Sequence, residues 1–320
     1  MSRRNEIETA YAAKFTPNKD RFSRPHTREH CSVNANQIGI MGLNTRQQVR
    51  IERPTENGTT LALYTIENTH YEQPNEVFLD YVDLVDVGKR FGVPTEKHFQ
   101  GKINPQVVAV GLSEYNAKVY SEFIEELTDD DGYNRELVVI APHGGDIEEH
   151  TDEQAEEVAK QLLPSKHVSI WMCKGFNKKE DGGAFARWHI TSTDISEESF
   201  PKLKTISGRQ FKYAIAFHGW NSEKNSICIG GTIPYNLKLE IKRAIADAIS
   251  GSGIVVAIGG DYNDDKTCPE NFNGNNSDNI VNRLSPNGGV QIEQSKKARE
   301  KYGADIAKAI ANVMRPKLTT

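Results

Sequence analysis

The chain has 320 residues, a formal net charge of −5, 37% hydrophobic and 26% charged residues. That length favours two domains, and the composition is that of a globular protein, which excludes a disordered or fibrous chain. The negative balance argues against nucleic acid as a partner, no apolar run approaches the ~18 residues of a membrane span, and the N-terminus lacks the apolar stretch of a secretory signal, so a cytoplasmic protein that binds neither nucleic acid nor membrane is expected.

Residues 1–111 carry short β-rich runs, such as Gln48-Val49-Arg50-Ile51-Glu52 and Leu61-Ala62-Leu63-Tyr64-Thr65-Ile66, punctuated by Pro54, Asn57 and Gly58. They predict a small barrel-like β-rich domain of unassigned role with no helix of convincing length. The run Val77-Phe78-Leu79 through Val85-Asp86-Val87 reads as further strand before Gly92 and Pro94.

A domain boundary is placed near 111, with 112–320 as the second domain. It begins with a helical pattern across 114–127 and an Asp-rich turn at Asp129-Asp130-Asp131-Gly132, then the strand Leu137-Val138-Val139-Ile140. Strand and helix alternate from there, the pattern of an α/β sheet covered on both faces. Thr151 and Gln154 have capping-box spacing, and Ala155, Val158, Ala159, Leu162 and Leu163 repeat at helical intervals up to Pro164. Next come a strand at 168–172, a short helix from Ser196 and a strand at 213–217. A helix after Pro234 closes at Gly251, and a strand at 254–258 leads into a long Asn-, Asp- and Gly-rich loop over 259–289, a candidate functional loop. The strand Val290-Gln291-Ile292-Glu293 and a last helix over 295–314 complete the order. Cys31, Cys173, Cys228 and Cys268 form no C-x-x-C pair and read as reduced packing residues.

Two strand ends carry histidines. Val139-Ile140-Ala141-Pro142 runs into His143-Gly144-Gly145-Asp146-Ile147-Glu148, and Tyr213-Ala214-Ile215-Ala216-Phe217 runs into His218-Gly219. Open α/β sheets place ligands at that edge, and two glycines allow a turn tight enough to aim His143 and Glu148 at one point. Two imidazoles and a carboxylate make the ligand set of a catalytic zinc with one position left for water. The proton of that water needs an acceptor, for which Glu293, at the end of its strand after Gly288-Gly289, is the candidate. The competing reading is that each is a hydrogen-bonded or solvated loop residue. The glycine pairs at 230–231 and 259–260 lack dinucleotide or phosphate-loop spacing.

These residues resemble the poly-γ-glutamate hydrolases, which are similar to zinc carboxypeptidases. The matching segments fall within 112–315: Val119-Tyr120-Ser121-Glu122-Phe123, residues 140–148, His189-Ile190-Thr191-Ser192, His218-Gly219, Asn279-Ile280-Val281-Asn282-Arg283-Leu284, and residues 288–293. The resemblance implies a zinc carboxypeptidase-like α/β fold, a mixed sheet with helices on both faces. It implies Zn2+ held by His143, Glu148 and His218, with Glu293 as acid/base. The substrate is then a peptide or γ-glutamyl amide, whose carboxylates Arg187 and Arg283 suit; His189 is a further substrate contact. The oligomeric state is left open. The alternative is a non-catalytic module that binds acidic peptides or polymers.

Overall fold

The computed structural model describes residues 10–23, 27–56, 58–91, 98–129, 136–163, 165–177, 183–220, 225–261, 268 and 272–319. Asn57, Gly92, Pro94, Asp130, Asp131, Gly132, Pro164 and much of the long Asn-rich loop lie outside them. The chain divides into two compact units, residues 1–123 with 176–200, and residues 124–175 with 201–320.

The first unit is built on six strands: β1 Tyr11–Pro17, β2 His30–Asn34, β3 Gln48–Thr55, β4 Gly58–His70, β5 Glu76–Leu79 and β6 Phe99–Asn104. They close in the order β1-β5-β2-β4-β3-β6, the expected barrel. Closure leaves no strand edge unpaired, and alternate residues turn inward, so Phe15, Val33, Ile51, Tyr64, Ile66 and Val77 form the core. The short helices Ala35–Met41 and Leu84–Phe91 interrupt the β-rich region, and the second corrects the strand reading of 85–87. The second takes in the run at 85–87 because Val87 and Phe91, four apart, are both buried, and that spacing closes one helical turn. Segment 176–200, downstream of the boundary placed at 111, folds with the barrel. Gln48 fastens it: its N–H donates to the Ser199 hydroxyl (2.8 Å), its Nε2 to the Asp194 carbonyl (2.6 Å), and its Oε1 accepts from Ser196 N–H (3.0 Å).

The second unit carries a seven-stranded sheet of β7 Phe123–Thr128, β8 Leu137–Gly145, β9 Val168–Gly175, β10 Tyr213–Trp220, β11 Ser226–Gly230, β12 Val255–Ile258 and β13 Gly289–Ser295, ordered β12-β11-β13-β10-β8-β9-β7. It is mixed, since β8, β9, β10 and β13 pair in parallel while β11 runs antiparallel to β13. The pattern expected to be one helix over 114–127 is a helix Glu114–Tyr120 followed by β7. Ser121 breaks it by taking the left-handed φ of 54° as helix cap, which ends a helix as glycine usually does.

One face of the sheet buries Leu137, Val139, Ala141, Ile215, Phe217, Val290 and Ile292 against the helices Thr151–Leu162, Tyr235–Ala248 and Lys296–Met314. Burying each Leu, Val, Ile or Phe side chain of this set contributes about 1.5–3 kcal/mol. Thr151 does not cap its helix: His150 takes the cap position without a side-chain bond to the helix backbone, and the Thr151 hydroxyl instead donates to the Glu148 carbonyl at 2.9 Å. On the other face, Glu125 accepts from Trp171 Nε1 (2.8 Å) and from Lys202 and Leu203 N–H (2.9 and 2.7 Å), which seats the helix Pro201–Ser207. Helices thus cover both faces of the mixed sheet, as expected.

Candidate metal centre

Strand β8 holds one residue more than its neighbour: Ala141 pairs with Met172 on β9, whereas Gly144 pairs with Lys174. A bulge re-aims the side chains around it, and here it falls on Pro142 and His143. Gly144 packs so tightly that a Cβ would stand 2.8 Å from that of Asp152 and 3.0 Å from the Cys173 carbonyl oxygen. Gly145 takes φ 69°, which glycine enters at no steric cost. The Glu148 N–H then donates back to the His143 carbonyl at 2.9 Å. The intervening residues are folded into a turn, and both side chains meet.

His218 arrives from β10. Phe217 points into the helix-covered core, so His218 faces the other side of the sheet. Parallel register sets Glu293 of β13 beside it, and antiparallel register sets Cys228 of β11 beside Glu293. His143 Nδ1 lies 3.0 Å from Glu148 Oε1, His218 Nδ1 lies 3.4 Å from Glu148 Oε2, and the two Nδ1 atoms are 3.2 Å apart. All three side chains are buried. Ligand atoms held at about 2.0–2.1 Å by a tetrahedral ion stand about 3.3 Å from one another, so this donor set has the spacing and the chemistry of a zinc site.

The carboxylates differ in state. Burial pushes Glu148 up, but the His143 and His218 imidazoles outweigh it and hold the group well below the usual carboxylate range; Gly219 N–H also donates to its Oε2 at 2.9 Å. Burial pushes Glu293 up to about 7, with the histidines pulling down and the Glu148 charge pushing up. A carboxyl near 7 is matched to proton transfer at neutral pH. Gln291 Nε2 donates to Glu293 Oε1 at 2.7 Å, and Asn279 Nδ2 donates to Gln291 Oε1 at 2.6 Å. This relay fixes one Glu293 oxygen. Asn279 also caps the helix Ile280–Arg283 by accepting from Val281 N–H, which ties the relay to that helix.

Gln291 and Asn279 were quoted in the sequence motifs without a role; the signal was the alternation Gly289, Gln291, Glu293 against Val290 and Ile292. Arg299 carried no signal. It is buried on the helix Lys296–Met314 with Nε and Nη1 lacking a hydrogen-bond partner. A Cβ on Gly219 would stand 1.2 Å from its Nη1, so the glycine after His218 is what admits this cation. Burial lowers its pKa while Glu148, Glu149 and Glu293 oppose the shift.

Arg283 is exposed at the end of its short helix. Arg187 and His189 belong to the first unit, Arg187 buried in the helix Gly183–Trp188 and His189 bonded through Nδ1 to Glu29 at 2.5 Å. The reading of all cysteines as reduced is corrected: Cys228 is joined to Cys268, with Cα atoms 5.6 Å apart, while Cys31 and Cys173 are free and buried. No sequence spacing announced the pair; register on β11 turns Cys228 to the Glu293 face, where Trp220, Ala257 and Phe272 pack with the bridge.

The sequence profile described as poly-gamma-glutamate hydrolase matches residues 121–313. YoqZ, an SPbeta prophage-derived protein of Bacillus subtilis (strain 168), is 30% identical over 193 residues, 57% of this chain and 61% of its own length. YndL of the same strain is 35% identical over 96 residues, 30% of this chain and 32% of its own length. The chain therefore spans less than two thirds of either relative. Among solved structures, a bacteriophage poly-gamma-glutamate hydrolase is similar at 22% identity and a TM-score of 0.46, over 65% of this chain and 91% of that one.

Proposed function

Because the chain belongs to the poly-gamma-glutamate hydrolase family, we propose that it is a zinc-dependent hydrolase of amide bonds in γ-glutamyl or related peptide substrates. The observation that carries this reading is the convergence of His143, Glu148 and His218 within 3.4 Å of one another, with Glu293 in register beside His218. When bound there, zinc supplies the positive charge that acidifies water and polarises an amide carbonyl.

The chain's own residues do the rest. Glu148 and the two imidazoles hold the ion and exclude bulk water by their burial. Glu293, raised towards neutral pH by burial, accepts the proton of the attacking water and delivers it to the leaving nitrogen. Gln291 holds one Glu293 oxygen, so the other is the one that carries the proton. Arg187, His189 and Arg283 engage the substrate: His189 and Arg283 lie in the motifs shared with the family, and Arg187 is assigned for the positive charge that glutamyl carboxylates call for. A guanidinium meets a glutamyl carboxylate with two parallel bonds.

No described helix is long and apolar enough to cross a membrane. The Cys228–Cys268 bridge argues for an oxidising setting and against the cytoplasm expected from sequence, since such bonds persist where thiols are not kept reduced.

The test is to incubate zinc-loaded protein with γ-linked and α-linked oligoglutamates and read the products by mass. Shortened γ-linked chains are expected. No product from either, with zinc bound, would leave a binding module as the better reading.

A further inference from the structure

Glu29 stands just before β2 with 6% of its surface exposed, a costly place for a carboxylate that lacks partners. Its Oε1 accepts from His189 Nδ1 at 2.5 Å, and its Oε2 accepts from the Thr191 N–H at 2.9 Å and the Thr191 hydroxyl at 3.0 Å. All three donors belong to the His-Ile-Thr-Ser segment, inside the family match of 121–313, whereas Glu29 lies outside it. The neighbouring residue repeats the arrangement. His30 bridges Glu67 through Nδ1 and Asp194 through Nε2, both at 2.7 Å, and Gln48 binds Asp194, Ser196 and Ser199.

We propose that the barrel is a positioning device for segment 189–199, and that Glu29 is the positioning residue that sets the His189 ring, so that Nε2 is the nitrogen offered to substrate. The tautomer and tilt of an imidazole are set by the hydrogen bond its other nitrogen makes. With Nδ1–H committed to Glu29, the ring engages anything else through Nε2. The Thr191 bonds fasten the backbone beside it, so the carboxylate fixes the ring and its mounting together. Burial opposes the charge on Glu29, but His189, Arg90 and the Thr191 N–H outweigh it and hold the group down to about 2, so it accepts all three bonds at neutral pH. The inference rests on the reading of His189 as a substrate contact and extends it to a residue the family match does not contain.

The test uses the zinc-loaded full chain. Glu29→Gln keeps the shape but gives up one acceptor oxygen: with two Thr191 donors on one side and the His189 Nδ1–H alone on the other, the amide oxygen stays on Thr191 and the NH2 group falls against the ring. Proton NMR should show the hydrogen-bonded His189 Nδ1–H, assigned by its absence in His189→Ala, and Glu29→Gln should abolish it. On γ-linked oligoglutamate, kcat should fall about tenfold in Glu29→Gln, and the double variant Glu29→Gln with His189→Ala should be no slower than His189→Ala alone. Thr191→Val, which removes one bond to the same carboxylate without touching the ring, should keep the resonance. Where Glu29→Gln does not fold, Glu29→Asp draws the charge back by one methylene and is read the same way. A resonance that survives in Glu29→Gln, or additive losses in the double variant, overturns the positioning role. Full turnover in His189→Ala, with the resonance still abolished in Glu29→Gln, sinks the substrate-contact reading and leaves the ring-setting role standing.

Discussion

Two buried glutamates, one in each unit, are driven in opposite directions. Burial pushes both up, but Glu29 in the barrel unit is surrounded by donors and a histidine and is held down to about 2, whereas Glu293 on the open sheet is pushed up by burial to about 7, with His218 pulling down and the Glu148 charge pushing up. The same chemical group becomes a fixed anion in one place and a proton acceptor in the other. What differs is hydrogen-bond supply: Glu29 accepts three bonds, from His189 and Thr191, while Glu293 accepts one, from Gln291. Groups left short of partners in this way are the ones with free energy available for chemistry.

The comparison breaks most readily at Glu293. Glu293→Gln is expected to lower kcat on γ-linked oligoglutamate by roughly a thousandfold, within the range of a lost general base, while leaving the thermal melting midpoint nearly unchanged. A large drop in the midpoint would make Glu293 a structural tie like Glu29. The next effect belongs to the open sheet's loop, stapled where the barrel needs no staple. Replacing Cys228 and Cys268 by Ser together removes a crosslink that spans a separation of 40 residues and should cost about 3–4 kcal/mol in denaturant unfolding. Glu29→Ala should cost about 3 kcal/mol by stranding its buried partners, with the loss read from the same unfolding curves.

The smallest effect tests the barrel's ties by pH. The carboxylates of Asp194 and Glu67 outweigh burial and raise His30 from 6.5 to about 9. A raised histidine contributes stability that is fully present below 6.5 and is lost as pH rises through about 9. Discounted for the ring's partial exposure, the loss is about 1–2 kcal/mol, and His30→Gln should flatten that part of the stability–pH curve.

The barrel was legible because period-two apolar runs and turn residues say the same thing along β3 and β4. The run at 85–87 was not, since with Leu84 it puts three apolar residues within four, which fit a strand as well as a helical turn. Residues 114–127 misled because nothing local announces that Ser121 takes a left-handed φ. His143, Glu148 and His218 stood out because glycines follow strand-ending histidines, and the fold brings the three together. Arg299 and Glu29 stayed hidden for a different reason: their meaning lies in contacts across the chain, Glu29 meeting His189 at a separation of 160 residues. Register, which turns Cys228 to the side of Glu293, is likewise a property of the assembled sheet rather than of any stretch of sequence.

The central claim is that one ion is held jointly by the two strand-end histidines and Glu148. Calorimetric titration of zinc into the metal-free protein and into His218→Ala tests it most directly. The account predicts one equivalent bound by the parent and binding at least a hundredfold weaker in the variant. Equal affinity in both, or no zinc uptake by the parent, would contradict it.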